Sequence, residues 1–216
     1  MGGEALPAGM ALLRAPRAAP DPAGRPPTGE ELRAVLEAAT AVPDHGRLRP
    51  WRFVVATGDA RGALGDALAA ALVEARPDAA PAAVASVRAK PLSAPAVVVL
   101  VASPVAGSNV PRWEQHASAA SCGYAMVLAG TALGLGAVWK SAGVLDGAGL
   151  RRVLALGPDE AVFGWILLGT RPGTAATVER PVAPLEEVVA VLGAAGDLTP
   201  WGTVAGGPAR AGPGQE

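Results

Sequence analysis

The sequence predicts a mixed sandwich of helices and strands around one central sheet. Three observations carry this. Helix-spaced apolar positions alternate along the chain with short apolar runs. One run, AVVVLVA at residues 96–102, is apolar without interruption, as expected of a strand buried on both faces. The chain also has 216 residues, 50% of them hydrophobic, enough for one sizeable core.

The elements follow in order. Residues 1–27 are rich in Pro, Gly and Ala without periodicity and are expected to be mostly irregular. Thr28-Gly-Glu-Glu31 is a capping box, in which hydroxyl and carboxylate each take the other residue's backbone N–H. Leu32, Val35, Leu36 and Ala39 follow at helical spacing, so a helix runs to about Ala41 and Pro43 stops it. Residues 51–57 read as a strand, closed by Gly58-Asp59. Asp59 is expected to cap a second helix reaching about Arg76. Four prolines in residues 77–95 leave room for a short helix between loops, before the buried strand at 96–102.

Pro111 and Arg112 open a long helix to about Leu133. Small residues line it, among them Ala117, Ala120, Gly123, Ala129 and Gly130, so it can lie close to its neighbours in a core or a dimer interface. Gly134 and Gly136 end it. A strand at 137–140, a helix near 146–156 and a strand at 161–168 come next. Residues 171–184 read as an extended arm and 185–192 as a last short helix. From Gly193 the chain carries few large apolar side chains, and residues 193–216 are expected to form a disordered tail. The expected body is thus one domain over residues 28–192.

Composition excludes several classes. A formal net charge of −1 is not the basic footprint of a nucleic-acid binder. No apolar run reaches the roughly 18 residues of a membrane span, and the first 27 residues lack the apolar segment of a signal peptide. The expected location is cytoplasmic. Cys122 is the only cysteine, which leaves no internal disulfide, and its apolar helix makes it a core residue. Gly134-Leu-Gly136 follows a helix and has Trp139 where a third glycine belongs, so the dinucleotide fingerprint is absent. The run GAVWKS lacks the glycine that a phosphate loop needs before its lysine. Asp44, His45, Glu114 and His116 match no metal-ligand spacing.

The loop at 43–53, PDHGRLRPWRF, survives this sieve. Its bland reading is a helix stop followed by solvated arginines. Its functional reading is an anion site: His45, Arg47 and Arg49 facing a phosphate or an electron-rich ring, with the planar arginine fork suited to phosphate oxygens.

Three further segments appear downstream in order: Val110-Pro-Arg-Trp-Glu-Gln115, Gly136-Ala-Val-Trp-Lys-Ser141 and Leu167-Leu-Gly-Thr170. With the loop, they make residues 10–184 resemble the nitroreductase family, nearest to its short NAD(P)H nitroreductase subgroup. The resemblance implies an α+β fold, with a central, mainly antiparallel sheet sandwiched by helices, in an intertwined homodimer. Residues 171–184 would wrap the partner, and FMN would lie at the dimer interface. It implies that electrons pass from NAD(P)H through bound flavin to a nitro compound, quinone or similar acceptor. The matching positions imply that Arg17, His45, Arg49, Trp139, Lys140 and Ser141 bind FMN, His45 reaching the partner's flavin and Arg49 lying near the phosphate. Trp113 and Glu114 match the helix start near the pocket. Lys140 replaces the more usual arginine. Where the family has Arg-Arg-Ser to grip the phosphate, this chain has Pro16-Arg17-Ala18, and a further phosphate-side arginine falls at Ala41. Arg14 or Arg47 would have to compensate. Otherwise the chain is a non-catalytic dimeric relative with weakened or changed flavin binding.

Overall fold

The structure, a computed structural model, describes residues 7–173 and 182–202. Residues 7–173 belong to one compact unit and 182–202 to a second, with the break after Glu179, inside the segment expected to form an arm.

The first unit is built on four strands, β1 (Trp51–Thr57), β2 (Ala96–Ala102), β3 (Leu135–Lys140) and β4 (Ala161–Thr170). Their order is β1-β2-β4-β3 and every neighbouring pair is antiparallel. Six helices accompany them: α1 (Ala8–Arg14), α2 (Gly29–Thr40), α3 (Ala60–Ala75), α4 (Pro81–Ala89), α5 (Arg112–Ala132) and α6 (Ala148–Val153). On one face of the sheet, Val98 and Leu100 of β2 pack with Val35 of α2 and Cys122 and Met126 of α5. On the other, Val97, Val99 and Val101 pack with Leu64 and Leu68 of α3 and Leu150 of α6. Every residue of β2 is buried. Its unbroken apolar run therefore reflects cover on both faces, and the α+β sandwich with an antiparallel sheet is borne out.

The capping box forms as read. The Thr28 hydroxyl accepts from the Glu31 N–H at 3.2 Å, and the Thr28 N–H donates to Glu31 Oε2 at 2.7 Å. Arg25 donates to both Glu31 oxygens, and that pairing, with the Thr28 N–H, holds the carboxyl at about 2. Thr28→Ala removes the first bond of α2 and is expected to lower unfolding free energy by about 1 kcal/mol. Urea unfolding of both proteins measures it, and an unchanged midpoint would show that α2 is held by packing alone.

Two glycines set how closely α5 lies on the sheet. A Cβ at Gly123 would stand 3.0 Å from the Trp139 ring, and one at Gly130 would stand 2.7 Å from the Ala137 Cβ. The small-residue pattern of this helix is thus used, on its inner side, for contact with β3.

Several local expectations are corrected. Residues 8–14 form α1 although the N-terminal segment lacks a periodic pattern. The helix lies between two prolines, and the side chain of Arg17 binds its last carbonyls. After α1 the chain runs along the outer edge of β3 and on to the end of β4. Ala137 N–H donates to Ala18 O at 3.0 Å and Asp21 N–H to Thr170 O at 2.8 Å. A Cβ at Gly136 would meet Pro20 at 2.5 Å, so this glycine belongs to the strand and does not end the helix. Asp59 precedes α3 but its carboxylate makes no cap bond, because its backbone is already helical.

In the second unit, residues 185–192 are not one helix. A single turn, α7 (Leu185–Val188), leads into β5 (Ala190–Leu192), which pairs antiparallel with β6 (Leu198–Pro200). The strand β6 lies in the stretch expected to be disordered. Its turn closes through Gly193 N–H to Asp197 O at 2.8 Å, with Gly196 at φ 85°. The remainder of the expected tail, 203–216, lies outside the described residues, as do 174–181 of the expected arm.

Candidate functional site

The loop after α2 is held by its own backbone and by the start of α5. Asp44 O accepts from Arg47 N–H at 3.1 Å, and the Asp44 carboxylate accepts from Arg49 N–H at 2.8 Å. Gly46, Arg47 and Arg49 all have left-handed backbones, with φ of 76°, 53° and 49°. Such a conformation costs a non-glycine residue on the order of 1 kcal/mol. Two arginines are therefore kept in it by the turn, and both side chains point cationic groups from an exposed loop with no ion pair among the described residues.

His45 sits in the 3₁₀ turn His45–Arg47 and meets Glu114 in the first turn of α5, with Nδ1 2.8 Å from Oε2. A proton on Nδ1 is what the carboxylate accepts, so the pair fixes the ring and leaves Nε2 free for another partner. The neighbouring Trp113 exposes 69% of its surface. His116 does not join them. It stacks edge-on against Phe163 at 5.2 Å, and burial, with Arg112 nearby, pushes its pKa down. Among the described residues no three His, Cys, Asp or Glu side chains converge as a metal ion needs.

The second predicted segment, Trp139-Lys140-Ser141, is split by the pleat of β3. Trp139 packs on the α5 side, its indole N–H donating to Phe163 O at 3.0 Å. Lys140 and Ser141 line a cavity of about 380 Å³ with Trp165 and Leu167 of the opposite face, together with Lys90 and Ser93. The third predicted position, Arg17, is buried beside β3. Its terminal nitrogens donate to the carbonyls of Leu12, Leu13 and Ala15, leaving Nε buried without a partner. Arginine there complements the negative end of α1. The predicted residues therefore fall at separate places in one chain: the His45–Arg49 loop at the head of α5, Trp139 on the α5 side of the sheet, Lys140 and Ser141 at the cavity on the other side, and Arg17 at the end of α1.

FMN is the group the family resemblance implies, and the donor set fits one. Arg47, Arg49 and Lys140 are cations without ion pairs among the described residues, and Arg17 Nε is a buried donor with no acceptor. Ala18 and Ala41 supply nothing polar where the resemblance implies phosphate ligands. Glu114 was legible as the head of the helix but not as the partner of His45. Lys90, Ser93 and Trp165 carried no motif, and only the fold brings them to Lys140.

Comparison with known proteins agrees with the fold. The profile of the nitroreductase family matches residues 23–170. The protein named "Putative NAD(P)H nitroreductase YdjA" of Escherichia coli K12 is 32% identical over 144 residues, covering 67% of this chain and 78% of its own. A Haemophilus influenzae protein named in the same way is 33% identical over 146 residues, with the same shares covered. Among solved structures, a nitroreductase-like family protein from Bacillus cereus superposes with a TM-score of 0.70 at 21% identity, over 88% of this chain and 98% of that one. The FMN-dependent nitroreductase NfnB from Mycobacterium smegmatis, solved with NADPH, gives 0.64 at 22% identity over 84% and 96%. The antiparallel sheet sandwiched by helices, the ordered motifs and relatives one third identical over two thirds of the chain all lead to one assignment: this chain belongs to the nitroreductase family.

Proposed function

We propose that the chain is an FMN-dependent oxidoreductase that takes electrons from NAD(P)H and delivers them to a nitro compound, quinone or similar acceptor, as a cytoplasmic homodimer. One observation carries the reading within this family: the loop that holds His45, Arg47 and Arg49 keeps its arginines without ion pairs among the described residues while Glu114 fixes the histidine ring. Bound flavin supplies the electron chemistry. The protein's part is to hold and to exclude. Arg49 neutralises the phosphate end, Lys140 and Ser141 supply donors, Trp139 gives an apolar wall, and His45 offers Nε2 to the ring. Arg17 acts by capping the end of α1, which lies against α5, and through its Nε. The apolar side chains left exposed at Met10, Leu13, Trp113, Tyr124 and Leu133 fit burial against a second copy.

Purified protein is expected to bind FMN, to oxidise NAD(P)H only when an acceptor such as a quinone is present, and to scatter light as a dimer. Arg49→Ala should weaken FMN about tenfold or more, as loss of a charged hydrogen bond does. A second reading has its own support, since Arg17 is engaged with α1 and Ala18 and Ala41 are apolar: a dimeric relative that binds another ligand without turnover. Absence of both FMN binding and NAD(P)H oxidation would establish it in place of the enzyme.

A further inference from the structure

Two adjacent side chains in the first turn of α5 hold two different loops. Glu114 takes the His45 ring, and Gln115, only 4% exposed, takes the loop that follows β2. Gln115 Oε1 accepts the Val105 N–H at 2.8 Å, and its Nε2 donates to the Val110 carbonyl at 2.9 Å. Both ends of one buried amide thus tie down both ends of the stretch 105–110. Among the described residues, these are the only hydrogen bonds from residues 104–110 to the rest of the fold. Packing gives this stretch little support. It borders a cavity of about 210 Å³, and Val105, Ala106 and Gly107 are exposed. Its last residue meets the candidate site. A Cβ on Gly46 would stand 3.3 Å from Val110 Cγ2, and Gly46, at φ 76°, is the pivot between His45 and Arg47. His45 is therefore held twice: its ring by Glu114, and its backbone turn by Val110, whose carbonyl Gln115 fixes. We infer that Gln115 is a positioning residue for His45, acting through Val110 and Gly46. The inference deepens the oxidoreductase reading and rests on it for what His45 Nε2 meets. A buried amide suits the task. Loss of either bond leaves a backbone group without its partner, and the cavity gives the loop room to shift.

Two variants cut the route at different points. Gln115→Glu keeps the shape and the bond from Val105 but loses the donor to Val110. Val110→Ala keeps both Gln115 bonds, which go to backbone atoms, and removes the side chain that meets Gly46. Thr28→Ala, at the far end of α2, controls for general loss of stability. The chain has two histidines, so nitrogen-15 spectra of the imidazole rings show two sets of resonances, and His45→Ala identifies the set to follow. In the unaltered protein without flavin, His45 is expected as one tautomer with its proton on Nδ1. Gln115→Glu and Val110→Ala should each convert it to a mixture of tautomers, and Thr28→Ala should not. FMN affinity should fall about tenfold in the first two. Should the introduced carboxylate prevent folding, Gln115→Met, uncharged and of similar length, takes its place. A His45 ring unchanged in both variants overturns the positioning role, and a response confined to one of them overturns the route through Val110. An equal response to Thr28→Ala overturns the role too, since the ring would then report stability alone. If the unaltered protein binds no FMN, the oxidoreductase reading fails, and the ring resonances still decide whether Gln115 positions His45.

Discussion

Gly130→Val is expected to destabilise the protein by about 3 kcal/mol, near the upper end for overpacking. A Cβ at this position would stand 2.7 Å from the Ala137 Cβ and 3.2 Å from Leu168 Cδ2. The Ala137 Cβ is fixed to the backbone of β3, so no side-chain rotation can give way. The helix must lift, and the gap then opens at Cys122 and Met126, both fully buried. Valine adds further bulk and a β-branched penalty in a helix. Gly130→Ala should cost less, since alanine gains about 1 kcal/mol of helix propensity over glycine. The control is Gly62→Ala in α3, where a Cβ meets nothing within 4 Å. It should stabilise by about 0.5–1 kcal/mol. Urea midpoints of the three variants decide the matter. A similar response at both positions would show that α5 is free to move on the sheet.

Glu160→Gln is expected to cost about 2 kcal/mol near neutral pH, a cost that fades in acid. Arg52 of β1 grips Glu160 with Nε and Nη2, each at 2.7 Å, and Nη2 also donates to the carbonyls of Leu154 and Ala155. The Gly157 N–H donates to the same carboxylate at 2.9 Å. Chiefly through Arg52, and against the opposing effect of burial, the carboxyl is held at about 2. Its unfolded value is about 4.3. A depressed carboxyl contributes fully above the unfolded value and loses its contribution as pH falls through the folded one. Wild type and variant should therefore differ most above about pH 5 and converge towards pH 2. Unfolding curves at several pH values test this. A difference independent of pH would assign the effect to packing. Glu31, also held at about 2, keeps some acid sensitivity in the variant.

What was legible in the sequence is what local chemistry determines. The box at Thr28 and Glu31 needs only a four-residue window, and the AVVVLVA strand needs only its own composition. The long helix announced itself by its start at Arg112 and its small residues. What escaped depends on partners distant in the chain. Helix α1 has too few residues for a pattern and relies on Arg17 at its end. The same contact gives Arg17 a second task that no motif signals. Strand β6 depends on the turn at Gly196 and on pairing with β5. At the candidate site, the His45 loop could be picked out by its cations, but its tie to Glu114 spans 69 positions. The strand alternation that sends Trp139 and Lys140 to opposite faces was implicit in their adjacency. Its consequence appears only once both faces of the sheet are filled.

The course of residues 17–25 along β3 and the end of β4 has a consequence for self-association. An uncovered strand presents a row of N–H and C=O groups that can template another chain. Here Ala18 accepts the outward Ala137 N–H, and Pro20 presses on Gly136 where no side chain stands in the way. Proline also offers no N–H of its own to extend the ladder. The segment therefore acts as a terminator for the sheet. Peeling it away would leave a folded body with a sticky flank, so this stretch governs solubility as well as stability.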